Sequence, residues 1–357
     1  PIYQIKIAPA WQGLDFNRNF PFIWAPEGVQ SGAGPYPASE PEIRALIAFL
    51  TEHPNVSSAL SYHTYSGAIL RPYSDRADDA MPIDDLWTYQ DLGARGTALT
   101  GYPNLSVYHG FRYHPRQIIR GAFDDWAYDQ LGVFAFTVEI WDMIGAAGIK
   151  SRDFIGWLRD HPEEDDLKLL AWNDSQLGEA GFVSWRPFQH PQLGPVEIGG
   201  WVERYTFRNP PAQLLLQTIE PITTFALAHA RVGPRLELRH CTAEALGEDI
   251  FRVQAIVANS GYLPTYGSRR AAEVGAVRPI EVALGLPPGA ALLTGELMQA
   301  VGQLEGRANK RELWGSNYPT DHLARLEWTL RAPTGGALTI SAHAQRAGCA
   351  AARLELG

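Results

Sequence analysis

The stretch that decides the fold lies at residues 13–21 and reads Gly13-Leu14-Asp15-Phe16-Asn17-Arg18-Asn19-Phe20-Pro21. Three further segments follow it in order: Leu60-Ser61-Tyr62-His63-Thr64-Tyr65-Ser66, Asp124-Asp125-Trp126-Ala127-Tyr128 and Phe136-Thr137-Val138-Glu139. They offer an Asn-Arg pair that can bind a carboxylate, a histidine that can ligate a metal, and a glutamate on a strand that can move a proton. These groups suit the hydrolysis of a peptide at its free C-terminus.

The strands around these segments predict where the polar groups meet. Residues 56–62 predict a short buried strand that delivers His63 at its C-terminal end. Residues 133–140 are β-branched and aromatic and predict a second buried strand, which carries Glu139. Because open α/β sheets bind ligands at their strand ends, we expect both side chains to face one crevice. The Pro- and Gly-rich residues 190–200 predict a hairpin that walls this cleft.

Apolar side chains at helical spacing predict four helices, at residues 40–52, 86–100, 163–172 and 211–232. Ser39 is expected to cap the first helix, with Glu42 completing a capping box. Gly101 is placed to end the second helix, and Pro221 is expected to kink the fourth. The sequence therefore predicts a mixed α/β domain over residues 1–233.

From residue 234 onward the pattern changes to strands separated by Gly- and Pro-containing turns. The strands are predicted at residues 251–259, 280–286, 323–331 and 337–342. This part, residues 234–357, is expected to be an all-β sandwich of immunoglobulin-like type. It shows no catalytic group of residues, so we expect it to pack on the first domain.

The four segments and their order resemble the zinc carboxypeptidase family, whose founding members are the pancreatic carboxypeptidases A and B. The resemblance is close over about residues 10–142 and implies roles for single residues. Asn17 and Arg18 match the pair that binds the substrate's terminal carboxylate, and Glu139 matches the general base. His63 matches the third zinc ligand. The resemblance further implies that Thr64 and Tyr65 line the subsites before the cleaved bond.

The chain departs from the family in its zinc ligands. The family takes two ligands from a His-x-x-Glu motif upstream of the Asn-Arg pair, and no His or Glu precedes Asn17 here. The upstream arginine that polarises the cleaved carbonyl is missing as well. His161 begins a His-Pro-Glu-Glu string, but this lies in a charged loop and is not expected to bind metal. The position that matches the family's active-site tyrosine is Gln117, with Tyr113 nearby.

Asp124 falls where the B-type enzymes carry the acid that selects a C-terminal lysine or arginine. The resemblance therefore implies a possible preference for basic residues, which Arg120 could oppose by neutralising Asp124. Asp125 and Tyr128 are interpreted as scaffold groups that make hydrogen bonds beside the pocket.

These observations leave two hypotheses from different classes. The first is a zinc-dependent carboxypeptidase in which this chain is the downstream part of a longer protein. The second is a carboxypeptidase-like module that binds peptide C-termini without catalysis. A third variant keeps the fold and trims an amino acid from a side chain or cell-wall peptide. With one histidine ligand the chain alone is expected to bind zinc weakly or not at all, and a missing segment or second polypeptide is expected to complete the sheet.

The composition of the chain excludes some classes of binding partner. A net charge of −9 argues against nucleic acid as a partner, and no apolar run is long enough to span a membrane. Peptide or protein C-termini remain the expected partners. The family's habits favour secretion or a periplasmic location. Cys241 and Cys349 could form a disulfide or remain two buried thiols.

Overall fold

The computed structural model describes residues 13–150, 153–309 and 321–357. The helices are α1 (Pro41–Glu52), α2 (Ile83–Thr100), α3 (Val107–Gly110), α4 (Phe123–Leu131), α5 (Met143–Ala146), α6 (Phe154–Arg159), α7 (Glu163–Leu177), α8 (Leu215–Ala230) and α9 (Arg269–Glu273). The first six strands are β1 (Ser58–Thr64), β2 (Ala68–Arg71), β3 (Asn104–Ser106), β4 (Phe134–Ile140), β5 (Phe182–His190) and β6 (Gly194–Trp201). The others are β7 (Leu236–Ala245), β8 (Ile250–Asn259), β9 (Glu281–Gly285), β10 (Ala291–Thr294), β11 (Met298–Ala300), β12 (Leu323–Arg331), β13 (Ala337–Ala344) and β14 (Gly348–Glu355).

A mixed sheet with the strand order β1-β4-β2-β3 forms the centre of the first part of the chain. β1 runs parallel to β4, whereas β2 runs antiparallel to β4 and parallel to β3. β4 is buried from Phe134 to Glu139, as its β-branched and aromatic sequence predicts. The predicted mixed α/β fold of this part is therefore confirmed. β1 begins two residues later than predicted and includes His63.

Two helices pack against each other and supply much of the core beside this sheet. Tyr89 of α2 and Phe225 of α8 are buried together with Phe136 of β4. α2 ends at Gly101, whose φ of 77° is a backbone conformation that glycine adopts without a steric cost. Pro221 lies inside α8, which is preceded by a short 3-10 turn.

The predicted capping box at α1 is wrong. The residue before α1 is Glu40, and no side chain caps the helix. The Ser39 hydroxyl instead accepts a hydrogen bond from the Asn19 amide at 3.0 Å and donates one to the Glu40 carboxylate at 2.7 Å. Asn19 is fully buried, and its side-chain NH2 group needs hydrogen-bond acceptors. The Ser39 hydroxyl serves as one of these acceptors and therefore does not cap α1.

The second part of the chain consists largely of two four-stranded antiparallel sheets, with the orders β10-β12-β8-β7 and β11-β9-β13-β14. One apolar cluster contains side chains from both sheets, including Val253 and Trp328 from the first and Val282 and Ile340 from the second. The sequence did not predict β7, β10, β11, β14 or the short helix α9. The boundary between residues 233 and 234 stays a prediction.

The two parts meet at the C-terminal end of α4, in a contact region that we call the joint (residues 131–132, 266–270 and 346). Arg346 is 8% exposed, and its guanidinium donates to the backbone carbonyls of Leu131, Gly132 and Tyr266. The Asp85 carboxylate accepts hydrogen bonds from the first two backbone amides of α9. A buried arginine and a buried carboxylate thus hold backbone groups of the facing part.

Two further expectations concern the cysteines and membranes. Cys241 and Cys349 are both free, and Cys349 is exposed, so the structure contains neither the disulfide nor a pair of buried thiols. Among the helices of the described ranges, none is both long enough and apolar enough to cross a bilayer.

Candidate functional site

The loop at residues 13–21 presents Arg18 through a short 3-10 turn. Asp15 caps this turn by accepting the Asn17 backbone amide at 2.9 Å. Arg18 is only 9% exposed; its guanidinium donates to the Asn17 carbonyl at 2.8 Å and lies 3.7 Å from the Asp15 carboxylate. The turn therefore holds a nearly buried cation at a fixed place.

A glycine brings a second loop against this turn. Gly121 has a φ of 68°, and a Cβ added there would lie 2.2 Å from the Arg18 carbonyl oxygen. Phe20 donates to the Gly121 carbonyl at 3.1 Å, and Phe123 donates to the Asn17 side-chain oxygen at 2.7 Å. Only glycine permits this approach, which joins the turn to the start of α4.

α4 begins with two acidic residues that have different surroundings. The Asp125 carboxylate accepts the Ser74 backbone amide at 3.0 Å and is fully buried. Asp124, 2% exposed, lines a cavity with Arg18, and burial raises its pKa to about 6. Arg120, which could have neutralised Asp124, donates to the Ile23 carbonyl at 3.3 Å. The Asp124 carboxyl group thus faces the cavity without an ion pair to Arg120.

His63 and Glu139 are register neighbours on the parallel strands β1 and β4. His63 Nδ1 lies 4.0 Å from Glu139 Oε1, and His63 Nε2 lies 3.2 Å from the Ser61 hydroxyl. Burial lowers the pKa of His63, so its imidazole is neutral at pH 7 and keeps a nitrogen lone pair. The predicted convergence of these two side chains at the strand ends is what the structure shows.

Glu139 is buried with little to stabilise its charge. It is 7% exposed, and its Oε2 atom has no hydrogen-bond partner within the described part of the chain. Burial raises the pKa of Glu139 to about 8; the Arg18 cation opposes this rise, and Asp124 and Asp15 add to it. The carboxyl group therefore holds a proton at neutral pH and can exchange it near pH 8.

These side chains surround one cavity of about 300 Å³, which we call the central cavity. Asn17, Arg18, His63, Thr64, Asp124 and Glu139 all line it. Two cations (Arg18 and Arg208), three carboxyl groups (Asp15, Asp124 and Glu139) and one neutral imidazole thus face a space large enough for an amino-acid side chain. Of the predicted site residues, only Tyr65 lies outside this cavity.

Tyr65 lines a neighbouring space of about 400 Å³, which we call the aromatic cavity. Its walls include Phe111, Tyr113, Phe154, Ile155 and Leu158, and it shares Thr64, Tyr113 and Glu139 with the central cavity. The predicted hairpin, β5 and β6, contributes no wall to either cavity as described. The walls come instead from α6 and from the loop at residues 111–113.

Sequence reasoning named Tyr113 only as a neighbour of the expected tyrosine position, and it missed Phe154 and Arg208. Tyr113 and Arg208 both line the central cavity, and Phe154 lines the aromatic cavity. Arg208 lies 5.7 Å from the Tyr65 ring centroid and 2.7 Å from the Glu203 carboxylate. Phe154 and Arg208 follow Glu139 in regions of the sequence that show no recognisable motif. No sequence pattern therefore assigned either residue to the site.

The donors of this site do not make a three-ligand zinc centre. Within residues 13–150, 153–309 and 321–357, no group of three His, Cys, Asp or Glu side chains could hold a metal ion. Residues 1–12 contain none of these four residue types. The His161 ring stacks on Trp157, and its Nε2 atom lies 3.2 Å from the Asp166 carboxylate. The residues present thus fall short of the set that a catalytic zinc needs.

A third cavity of about 650 Å³, the edge cavity, lies along the outer side of β1. Leu14, Phe16, Ile43, Leu46 and Leu60 give it apolar walls, and His63 stands at its end. Among the described strands, β1 pairs only with β4 and so leaves its other edge open. An apolar groove beside an open strand edge is a surface that a further strand can cover.

Comparison with known proteins agrees with the sequence motifs. Residues 6–148 match the family described as zinc carboxypeptidase, and residues 235–355 match a domain of unknown function. Human carboxypeptidase B2 is 33% identical over 139 residues, which cover 36% of this chain and 32% of that protein. Carboxypeptidase A5 of Macaca fascicularis is 30% identical over 137 residues, covering 36% of this chain and 31% of that protein.

A crystal structure of thrombin activatable fibrinolysis inhibitor is 23% identical, covers 47% of this chain and 42% of that chain, and gives a TM-score of 0.30. The chain spans about a third of the length of the curated relatives it matches. The predicted resemblance of the first part of the chain to zinc carboxypeptidases is confirmed.

Proposed function

We propose that the first part of this chain is the carboxylate-binding and proton-transferring portion of a zinc-dependent carboxypeptidase, which removes the C-terminal residue of peptides. The observation that carries the proposal is the convergence of Arg18, His63, Asp124 and Glu139 on the central cavity. These residues are far apart along the chain, and four different segments bring them together.

Arg18 and Asn17 are proposed to bind the terminal carboxylate of the substrate. The nearly buried guanidinium offers several N–H donors, and an arginine–carboxylate pair in a dry site is strong and directional. The Asn17 side-chain oxygen already accepts the Phe123 amide, which leaves its NH2 group to act as the donor. Binding at this point places the last peptide bond toward Glu139.

Glu139 is proposed to be the general base. Its raised pKa, about 8, allows it to take a proton from the attacking water in its ionised form and to pass a proton to the departing amine. A carboxylate with an ordinary pKa would be a weaker base toward the attacking water. The same burial that raises the pKa of Glu139 thus matches its proposed role.

Asp124 is proposed to favour a basic residue at the substrate's C-terminus. Its carboxylate lies in the central cavity, and its pKa of about 6 leaves it charged above that pH. We expect the completed enzyme to cleave hippuryl-arginine faster than hippuryl-phenylalanine at pH 8, with the ratio falling below pH 6. Faster cleavage of hippuryl-phenylalanine than of hippuryl-arginine at pH 8 would refute the proposed preference for basic residues.

In this proposal, the segment that completes the sheet also supplies the missing zinc ligands. His63 supplies one neutral imidazole, and the remaining ligands must come from a polypeptide segment other than the described residues. The edge cavity and the open edge of β1 beside His63 suit the docking of such a strand. The completed site would hold one zinc ion, and the chain alone would hold it weakly or not at all.

A second candidate is a non-catalytic module that binds peptide C-termini. The lack of a three-donor group among the described side chains favours it. Both candidates bind the terminal carboxylate at Arg18, so hydrolysis of hippuryl-arginine after addition of zinc and the completing segment separates them. For the rest of the chain, we propose an immunoglobulin-like sandwich over residues 234–357, and for the protein a secreted or periplasmic location.

Carboxylate binding is tested with a peptide and its C-terminal amide. We expect acetyl-Phe-Arg as the free acid to bind the chain at least about tenfold more tightly than its amide, and Arg18→Gln to abolish the difference. Arg44→Gln, an exposed arginine of α1, is the matched control and should keep it. Equal binding of acid and amide to the unmodified chain would refute the proposal.

A further inference from the structure

We infer that a cavity next to the aromatic cavity binds an acidic side chain of the substrate, at the residue two positions before the C-terminal one. This cavity, which we call the basic pocket, has a volume of about 410 Å³, and its walls include His109, Arg112, Asp153 and Arg159. The inference rests on the proposed function, because a carboxylate held at Arg18 sets the direction of the bound peptide. None of the residues that the resemblance assigns to substrate or zinc lines this pocket.

The position of the basic pocket follows from the walls that it shares. Ile155 and Arg159 line both the basic pocket and the aromatic cavity. The aromatic cavity in turn shares Glu139, the group proposed to act on the last peptide bond, with the central cavity. An extended peptide advances about 3.3 Å per residue, so the residue two positions before the last lies roughly 7 Å further along. A peptide that is bound at Arg18 and passes Glu139 therefore leads along the aromatic cavity to the basic pocket.

The two arginines of the basic pocket can each donate further hydrogen bonds. Arg112 donates to the Pro115 carbonyl at 2.9 Å, and Arg159 donates to the Tyr113 carbonyl at 2.6 Å. Within the part of the chain that the structure describes, neither guanidinium forms an ion pair with a carboxylate. Because a guanidinium has five N–H donors, both arginines retain donors for an acidic ligand.

The two guanidinium groups are held in place without a ligand. Arg112 lies over the Tyr108 ring, with its guanidinium carbon 4.4 Å from the ring centroid. Both arginines bind carbonyls of the same loop, residues 113–115, and this loop fixes their side chains relative to each other. Cations held in this way lose little conformational freedom on binding, which favours a bidentate contact with a carboxylate.

The other polar groups of the pocket oppose an acidic occupant less than the two arginines favour it. Among the described residues that line the pocket, Asp153 is the one acid, and its carboxylate caps α6 by accepting the Gly156 amide at 2.8 Å. The His109 Nε2 atom accepts the Asp78 backbone amide at 3.3 Å, so its Nδ1 atom carries a proton and is a donor. Two cations and one anion give the pocket a net positive charge in a chain whose net charge is −9.

The test measures binding of acetyl-Xaa-Ala-Arg peptides to the 357-residue chain by isothermal titration calorimetry at pH 7, with Glu, Gln or Lys at Xaa. Each peptide is measured as the free acid and as the C-terminal amide. We expect the Glu peptide to bind at least about fivefold more tightly than the Gln peptide, which has the same size and no charge, and the Lys peptide to bind most weakly. The advantage of Glu over Gln should shrink in about 0.5 M sodium chloride, because salt screens charges in a partly exposed pocket.

Variants link this preference to the two arginines. Arg112→Gln and Arg159→Gln should each reduce the advantage of Glu over Gln by at least about twofold, and the double variant should abolish it. Asp153→Asn should increase the advantage, because asparagine still caps α6 but does not repel the ligand. Arg116→Gln is the matched control, since Arg116 is exposed next to the same loop and does not line the pocket, and it should leave the advantage unchanged.

Equal binding of the Glu and Gln peptides, with both free acids still bound more tightly than their amides, would overturn the basic pocket and leave the proposed function intact. An advantage of Glu that survives in the double variant, or that Asp153→Asn reduces, would also overturn it. If no free acid binds more tightly than its amide, the proposed function and the basic pocket fall together.

Discussion

The cost of burying Glu139 is open to direct measurement through the variant Glu139→Gln in the metal-free chain. Glutamine keeps the size of the side chain and carries no ionisable group. The pKa of Glu139 is raised from 4.5 to about 8, so the folded chain holds this proton more tightly than the unfolded chain does. Stability from this group is therefore present below pH 4.5 and is lost as pH rises toward 8.

The size of the loss follows from the two pKa values. At pH 5 the unfolded chain has ionised only part of this group, and the glutamate costs about 1 kcal/mol relative to glutamine. At pH 8 the unfolded chain is fully ionised while half of the folded chain still holds the proton, and the cost reaches about 4 kcal/mol. The variant should thus be more stable than the unmodified chain, by a margin that grows with pH.

The assay is urea unfolding of both proteins in a buffer with a metal chelator, at pH 5 and pH 8. Glu197→Gln is the matched control, because Glu197 lies exposed on β6, and it should show no such margin. A margin for Glu139→Gln that stays the same at both pH values would refute the reasoning. So would a variant less stable than the unmodified chain at pH 8.

Three other substitutions test further parts of the structure. Burial lowers the pKa of His229 to about 4, so the contribution of this group to stability should fall by about 3 kcal/mol between pH 7.5 and pH 4, and the stability of His229→Gln relative to the unmodified chain should rise by that amount in urea unfolding. Arg346→Met leaves buried carbonyls at the joint unpaired and should cost roughly 2–4 kcal/mol by urea unfolding, whereas Arg353→Met, at an exposed position, should cost under about 0.5 kcal/mol. Gly121→Ala forces its Cβ against the Arg18 carbonyl, so the preference for a peptide acid over its amide should weaken even in protein that remains folded by circular dichroism.

The sequence predicted those parts of the site that depend on local pattern. The apolar runs before His63 and around Glu139 predict strands whatever the rest of the chain does. Because the two strands are parallel neighbours, their C-terminal ends place the two side chains together. The carboxylate-binding role of Arg18 came from the resemblance, and its burial is consistent with that role.

What the sequence did not predict depends on contacts between distant segments. Phe154 and Arg208 approach the site only because the segment after Glu139 folds back over it, and no local pattern encodes that return. The prediction of a capping box at Ser39 was wrong for a related reason. The Ser39 hydroxyl accepts a hydrogen bond from the side-chain amide of Asn19, which lies twenty residues earlier in the chain. The role of Arg346 at the joint was equally hidden, because an isolated arginine in the turn between two strands is usually a surface residue.

The central claim, that a peptide C-terminus is bound between Arg18 and Glu139, is tested most directly by a crystal structure of the chain with acetyl-Phe-Arg. The account predicts the terminal carboxylate on the Arg18 guanidinium and the last peptide bond beside Glu139. A peptide bound with its carboxylate away from Arg18, or in a cavity that Glu139 does not line, would contradict it.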